Sequence, residues 1–191
     1  MDTRNARARA HLTLAVLAVS AVLSSGCLVL TLHPAYDDRT VVWDEGLLGE
    51  WRDEEDNIQA TVERSEWRSY RIRFARPSET ADFTGHLTAI GDQYFLDLMP
   101  ERGVDYGPVL VPAHLILRVT RAGDGWEVAG LDYEALRRDA AAERHVGGGS
   151  SALDQRHNVL LTASTPELRQ WLRAGAARVF GAPVVFERVS K

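Results

Sequence analysis

The chain has 191 residues, a length that suits a single domain with its own hydrophobic core. Its 22 basic and 27 acidic residues give a net charge of −5, and no basic stretch is interleaved with aromatic residues, so the composition excludes a typical nucleic-acid-binding protein. The single cysteine, Cys27, excludes an internal disulfide, so the domain must be held together by its core.

The first residues of the chain have the composition of an export signal. An arginine-rich start over residues 4–9 precedes an almost entirely apolar run from Leu12 to Leu23. Small residues at positions 24–26 separate this run from Cys27. A positive start, a short apolar segment and a small-residue cleavage zone are typical of a secretory signal peptide. The sequence therefore predicts export of the remainder of the chain.

The end of this segment, Leu23-Ser24-Ser25-Gly26-Cys27, resembles the lipobox of bacterial lipoproteins. The resemblance implies that residues 1–26 are removed and that lipid on the Cys27 thiol holds the domain on a membrane. Because Leu28 is not the aspartate associated with inner-membrane retention, the resemblance points to the outer membrane, with the domain facing the periplasm or the cell surface. The alternative is an uncleaved transmembrane segment, since no charge occurs over residues 12–32.

Residues 27–45 are predicted to form a lipidated tether, because Pro34 and several acidic residues oppose a continuous helix. Residues 46–191 are predicted to form the folded domain. Short segments of this domain alternate apolar and polar residues with a period of two, which is typical of antiparallel strands with one buried and one wet face. The clearest segments are Tyr70–Phe74, Phe83–Ala89, Tyr94–Leu98, Val111–Val119 and Trp126–Val128, with further strands near 158–162 and 183–189.

A helix is predicted at residues 165–174, with Thr165 as its N-cap and Gly175 as its end. Trp171 and Leu172 fall on one face of this helix, so the face is predicted to pack on an apolar surface.

A second helix, rich in alanine and charge, is predicted near residues 132–142. The remaining elements are roughly eight or nine strands. Closing such a sheet into a barrel leaves no edge strand with unpaired backbone groups. The sequence therefore predicts a mainly β fold: a single antiparallel β-barrel or strongly curved sheet, lipocalin-like, with two late helices. A two-sheet β-sandwich is the alternative.

The segment Leu47-Leu48-Gly49-Glu50-Trp51 resembles the G-x-W motif of lipocalins and related calycin barrels. In that superfamily the tryptophan lies at the closed end of the barrel and a late arginine packs across it. The resemblance implies that Arg188 lies within about 6 Å of the Trp51 ring and that the first and last barrel strands pair. The alternative is that Trp51 is a core aromatic residue of an unrelated β fold.

The sequence contains no recognisable catalytic or metal-binding constellation. None of the histidines after Cys27 has the spacing of a metal site, and no cofactor motif occurs. His86 and His114 lie on the polar phases of their strands and are predicted to be solvated; His145 and His157 flank a glycine-rich loop. The acidic residues 53–56 are interpreted as a hairpin tip.

Five aromatic residues on strands are candidates to line a ligand cavity, or equally to fill a dry core, because an eight-stranded barrel is just wide enough for one small ligand. They are Tyr70, Phe74, Phe83, Tyr94 and Trp126. The sequence thus favours a non-enzymatic binding module of the cell envelope, possibly for a small apolar ligand. The alternatives are an envelope structural or assembly protein with a filled core, and, least favoured, a hydrolase.

Overall fold

The computed structural model describes residues 28–101, 113–138, 152–153 and 159–189. The predicted signal peptide, Cys27, residues 139–142 of the helix predicted near residues 132–142, His145 and His157 lie outside these residues. Across the described ranges, no helix combines the length and the apolar character needed to cross a lipid bilayer.

The described residues form β-strands, two α-helices and a short 3₁₀ helix at Glu45–Leu47. The strands are β1 (Val29–Thr31), β2 (Val41–Val42), β3 (Gly49–Asp53), β4 (Ile58–Arg64), β5 (Tyr70–Arg76), β6 (Glu79–Ile90), β7 (Gln93–Pro100), β8 (Leu115–Ala122), β9 (Gly125–Gly130), β10 (Ala152–Leu153), β11 (Val159–Leu161) and β12 (Val184–Arg188). The helices are α1 (Tyr133–Arg138) and α2 (Thr165–Val179).

Eight of these strands close into an antiparallel barrel. The order around the ring is β3-β4-β5-β6-β7-β8-β9-β12, and β12 pairs with β3 to complete it. Strand β2 is an additional strand that pairs with β6 beyond the end of β5. The predicted barrel of lipocalin-like architecture is confirmed, and the two-sheet sandwich is excluded. Helices α1 and α2 lie in the connection between the seventh and eighth barrel strands.

The segment before the barrel differs from the predicted tether. Strand β1 pairs in parallel with β11, which also pairs with β10, and Thr31 forms a bridge with His114. Val29, Ala35 and Val41 are buried. Residues 29–42 therefore pack onto the outside of the barrel, because their apolar side chains and backbone groups find partners there. The sequence signals against a helix were right, but they do not distinguish a free tether from an extended, packed segment.

The barrel wall separates two hydrophobic cores. The lumen core lies inside the ring and contains Leu47, Trp51, Ile58, Val62, Tyr70, Ile72, Leu87, Leu96, Leu98, Val119, Trp126 and Phe186. The outer-wall core lies between strands β6–β9 and a covering layer made of residues 29–42, α1 and α2. Its members include Val29, Ala35, Ile90, Phe95, Ile116, Leu136, Leu168, Trp171, Leu172, Val179 and Phe180.

Helix α2 supplies the apolar face that covers the barrel, as its spacing predicts: Trp171 and Leu172 are buried. Its ends differ from the predicted ones. The N-cap is Ser164 rather than Thr165, and the Glu167 carboxylate accepts hydrogen bonds from the Ser164 backbone and hydroxyl. The helix also continues past Gly175 to Val179, because Val179 is itself a core residue whose burial outweighs the low helix propensity of glycine.

Candidate functional site

One end of the barrel is covered by residues 43–48, which we call the cap. The Trp43 ring stacks on Tyr70 of β5 with centroids 4.5 Å apart, and the Tyr70 hydroxyl exchanges hydrogen bonds with the Asp44 backbone. From the opposite wall, Trp126 Nε1 donates to the Gly46 carbonyl at 3.3 Å. The cap is therefore tied to strands on both sides of the lumen.

Trp51 and Arg188 close the same end of the barrel. The Arg188 guanidinium carbon lies 4.3 Å from the centre of the Trp51 ring, and the two residues are paired across β3 and β12. Arg188 also donates to the carbonyls of Leu48 and Gly46 at 3.0 and 3.1 Å. The predicted contact, the burial of Trp51 and the pairing of first and last barrel strands are all confirmed.

Gly49 is required by this arrangement for two reasons. Its φ of +132° is one that other residues rarely adopt, and a Cβ at this position would lie 2.5 Å from Arg188 Nη1. The glycine thus lets the guanidinium pass close to the backbone and reach the cap carbonyls.

Inside the ring, the lumen core leaves an open cavity of about 100 Å³. Its lining is made of apolar side chains from all around the barrel. Leu47, Trp51 and Trp126 line the part nearest the cap, and Phe74, Leu98 and Val128 are among those farther along. The two indole N–H groups bond to cap carbonyls, so they present no free donor to the lumen. This space, which we call the lumen cavity, can accept an apolar group only.

Beside the cap lies a larger space of about 550 Å³, which we call the mouth cleft. It opens between the cap, the β6–β7 hairpin and the end of β8, and Leu87, Gln93, Tyr94 and Arg121 are among its lining residues. Arg121 reaches across it, with Nη2 3.5 Å from Asp44 Oδ2 and its guanidinium 4.4 Å from the centre of the Trp126 ring.

Two residues that line the mouth cleft each carry a side-chain atom that is shielded from solvent and has no hydrogen-bond partner within the described residues: Trp43 Nε1 and Gln93 Oε1. The same cleft borders the buried Tyr70–Asp44 contact. Burial raises the pKa of Tyr70 to about 12, with a further contribution from the Asp44 carboxylate, while the backbone hydrogen bond acts in the opposite direction. Tyr70 is therefore a neutral structural hydroxyl at physiological pH.

The five aromatic residues proposed as cavity lining do not form one group. Phe74 and Trp126 line the lumen cavity, and Trp126 also lines the mouth cleft together with Tyr94, which is 49% exposed at the rim. Tyr70 is fully buried beneath Trp43 and lines neither space, and Phe83 packs against the lumen core from its edge.

The prediction that His86 and His114 are solvated is wrong. His114 is 7% exposed, and its Nδ1 lies 2.6 Å from Oδ1 of Asp97, which is 1% exposed. The other Asp97 oxygen accepts the Ala35 N–H at 2.6 Å. His86 is half-buried and stacks on Tyr36 with centroids 4.2 Å apart. The reason is that the covering layer buries the outward, partly polar phase of these strands, while the lumen core buries their inward phase.

This histidine cluster has the character of a structural network. Burial lowers the pKa of His86, an effect that Asp97 opposes and His114 reinforces. Burial and the Asp97 and Asp38 carboxylates raise the pKa of Tyr36. No group of three or more His, Cys, Asp or Glu side chains in the described ranges is arranged to hold a metal ion. The sequence did contain a signal that the outer face of these strands is buried. Phe95 and Ile116 are apolar residues on the strand phase that was predicted to face solvent.

Comparisons of the chain with protein-family models, with curated proteins and with solved structures each found no match. The lumen cavity and the mouth cleft therefore carry the functional argument on their own chemistry.

Proposed function

We propose that this chain is an exported lipoprotein of the cell envelope, held on a membrane by lipid on Cys27, whose barrel binds a small apolar ligand in its lumen. The observation that carries the binding proposal is the open lumen cavity with its apolar lining. A lining with no free polar group favours an apolar ligand. Binding removes the hydrocarbon surface of the ligand from water, and no polar group of the lining has to give up a hydrogen bond to water.

The volume of the cavity limits the size of the ligand. At about 100 Å³ it is smaller than the roughly 300–1,000 Å³ of pockets for drug-sized molecules. It is closer to the roughly 150 Å³ apolar cavity that accepts benzene in an engineered protein. The space therefore admits at most a few carbons of a hydrocarbon chain or one small ring.

Benzene is a direct probe of the lumen cavity. A ligand that binds only the folded state raises the free energy of unfolding, by about 2.7 kcal/mol at a hundred times its Kd. We expect benzene to raise the thermal midpoint of the wild type and to have no such effect on Ala60→Leu, because Ala60 lines the cavity and the longer side chain fills it. Val128→Phe fills it from another strand.

Ala75→Leu is the matched control, because Ala75 neighbours Phe74 on β5 but does not line the cavity. It should respond to benzene as the wild type does. No response in the wild type, or an equal response in both filled variants, would contradict lumen binding. That result would favour the second candidate, an envelope structural or assembly protein with a filled core. Trp67, 60% exposed on the β4–β5 hairpin, is an aromatic contact that such a protein could use.

The anchor is proposed on the resemblance of residues 23–27 to a lipobox and is tested separately. Metabolic labelling with a fatty acid should mark the wild-type chain and not Cys27→Ala, and the variant should leave the membrane fraction or accumulate as precursor. Fractionation of the labelled chain between inner and outer membranes tests the outer-membrane assignment. Equal membrane retention of both proteins with no label in either would favour an uncleaved transmembrane segment.

A further inference from the structure

We propose that the outward face of the small sheet formed by β1, β11 and β10 is a membrane-contact surface, and that the direct connection of β1 to the lipid anchor holds this face on the bilayer. The proposal rests on the proposed lipidation of Cys27. It adds to that anchor the side of the domain that faces the membrane.

The first step is that the fold begins directly after the anchor residue. The Leu28 carbonyl accepts the Val159 N–H at 2.8 Å, and the next residue, Val29, is buried in the outer-wall core. Cys27 immediately precedes Leu28 in the chain, and consecutive Cα atoms lie only about 3.8 Å apart. A lipid on the Cys27 thiol is therefore attached within one residue of a strand that is fixed on the barrel, so the domain cannot move far from the bilayer.

The second step is the apolar character of the outward face of this sheet. Successive side chains of a strand point to opposite faces, and the side chains that point toward the barrel are buried. These inward residues are Val29, Thr31, Val159 and Leu161. Leu28 is 51% exposed, and Leu30 and Leu160, which are direct partners across β1 and β11, are partly exposed. These three outward side chains form what we call the leucine face.

The third step is that the bilayer is the partner that fits the leucine face. Residues 28–32 and 159–161 carry no charged side chain, so contact with the membrane brings no charge out of water. Apolar faces of membrane-bound proteins enter the boundary between head groups and acyl chains, where they are removed from water. The anchor also keeps the bilayer at a high effective concentration next to this face, an advantage that a soluble partner does not have.

The experiment uses the lipidated protein in phosphatidylcholine vesicles. Cys27 is the only cysteine, and its thiol is consumed by the lipid, so an introduced cysteine can be labelled alone with the fluorophore NBD. We expect phosphatidylcholine that carries a nitroxide on its head group to quench NBD on Leu160→Cys by at least about twofold. Leu30→Cys repeats the measurement on the neighbouring strand, and thermal melts verify that both labelled variants are folded.

Gln59→Cys is the matched control. Gln59 is an exposed strand residue on β4, which lies opposite β8 in the eight-stranded ring. The small sheet joins the chain next to β8, through the bridge between Thr31 and His114. NBD at position 59 is therefore on the far side of the barrel from the leucine face, and the lipid quencher should leave its emission unchanged.

A longer connection tests the role of the anchor. Insertion of about ten glycine and serine residues between Cys27 and Leu28 turns the direct connection into a flexible linker and leaves the leucine face intact. Quenching at position 160 should then fall by at least about twofold, because the domain can leave the bilayer surface. Unchanged quenching would show that the direct connection does not hold the face on the membrane.

The outcomes separate this proposal from the anchor itself, because mass spectrometry of each protein detects the lipid independently. If the protein is lipidated but positions 160 and 30 are quenched no more than position 59, the proposed membrane contact is wrong and the anchor stands. Energy transfer between NBD groups at position 160 of two copies, without lipid quenching, would show that a second copy covers the face instead. If Cys27 carries no lipid, the anchor proposal fails, and the membrane contact that rests on it fails as well.

Discussion

The two cores of this molecule lie on opposite faces of one barrel wall and differ in where their ionisable side chains are placed. The lumen core is lined by apolar side chains, and charged side chains lie at its two ends. Arg188 stacks on Trp51 and donates to cap carbonyls, and Asp53, at the other end of β3, accepts the N–H groups of Glu55 and Asp56 in the β3–β4 turn. The outer-wall core instead encloses the Asp97–His114 pair. The inner face thus keeps its ionisable side chains at the ends of the barrel, whereas the outer face encloses an aspartate and a histidine within its core.

The difference follows from what covers each face. The lumen is enclosed by the strands and, at one end, by the cap, so an inward-pointing residue meets strand side chains or cap carbonyls. The outer wall is covered by residues 29–42 and α2, whose backbone groups need partners. The Ala35 N–H donates to Asp97, and Arg169 of α2 donates to the carbonyls of Ala35 and Ala89 and to the hydroxyl of Thr88. Hydrogen bonds from polar residues therefore fix the position of the covering layer on the outer wall.

The largest loss of folding stability is expected in the apolar part of the covering layer. Trp171→Ala removes a fully enclosed indole from the outer-wall core and should lower the free energy of unfolding by about 3–5 kcal/mol in denaturant melts. Trp171→Phe should cost much less, because the indole N–H has no hydrogen-bond partner within the described residues and the ring is largely kept. A loss below about 1 kcal/mol for Trp171→Ala would mean that α2 is peripheral to the fold.

Asp97→Ala tests whether the buried polar network is structural. Removal of the carboxylate leaves the Ala35 N–H and His114 Nδ1 unpaired in a buried site. We expect a loss of about 3 kcal/mol, because two buried hydrogen-bonding groups lose their partner at once. Asp82→Ala is the control, since Asp82 pairs with Arg73 on the exposed surface and should cost under about 1 kcal/mol. Equal costs for the two variants would contradict the comparison.

The barrel was largely predictable from the sequence. Its strands carry an apolar period of two, and Asn57 and Gly91 adopt a positive φ, as is common in the turns of β-hairpins. The pairing of the first and last strands was implied by the resemblance of residues 47–51 to the G-x-W motif, which places Arg188 against Trp51, and both features are present. The strands depend on a local alternation of apolar and polar residues, and the closure was implied by one short motif. Both can be read from the sequence without knowledge of the tertiary structure.

The outer-wall network and the mouth cleft were not predictable in the same way. Alternation shows which phase of a strand is apolar, but the polar phase is wet only if nothing covers it. His114 is buried because β1 bridges its backbone and Ala35 lies beside its partner Asp97, contacts between residues that are distant in sequence. The cleft likewise depends on where the cap stops short of the β6–β7 hairpin, which no local pattern specifies.

A smaller loss of folding stability is expected at alkaline pH, through Tyr70 beneath the cap. The pKa of Tyr70 is about 12 in the folded protein and about 10 in an unfolded chain. Between these values the unfolded state releases the phenolic proton while the folded state retains it, so the free energy of unfolding falls as the pH rises, by about 2 kcal/mol. Tyr70→Phe should remove this part of the pH dependence. Parallel stability curves for the two proteins from pH 9 to about 12 would contradict the burial of the hydroxyl.

The smallest effect is expected at the rim of the lumen core. Arg188→Ala removes the stack on Trp51 and two hydrogen bonds to cap carbonyls, but the guanidinium is solvent-exposed, so we expect a loss of only about 1 kcal/mol in denaturant melts. Arg52→Ala changes an exposed arginine of β3 and should be close to neutral. Arg188→Lys should recover little of the loss, because an ammonium group cannot stack flat on the indole and reach both carbonyls at once. Full recovery by lysine would show that the charge alone matters, and the stack that closes this end of the barrel would then be incidental to its stability.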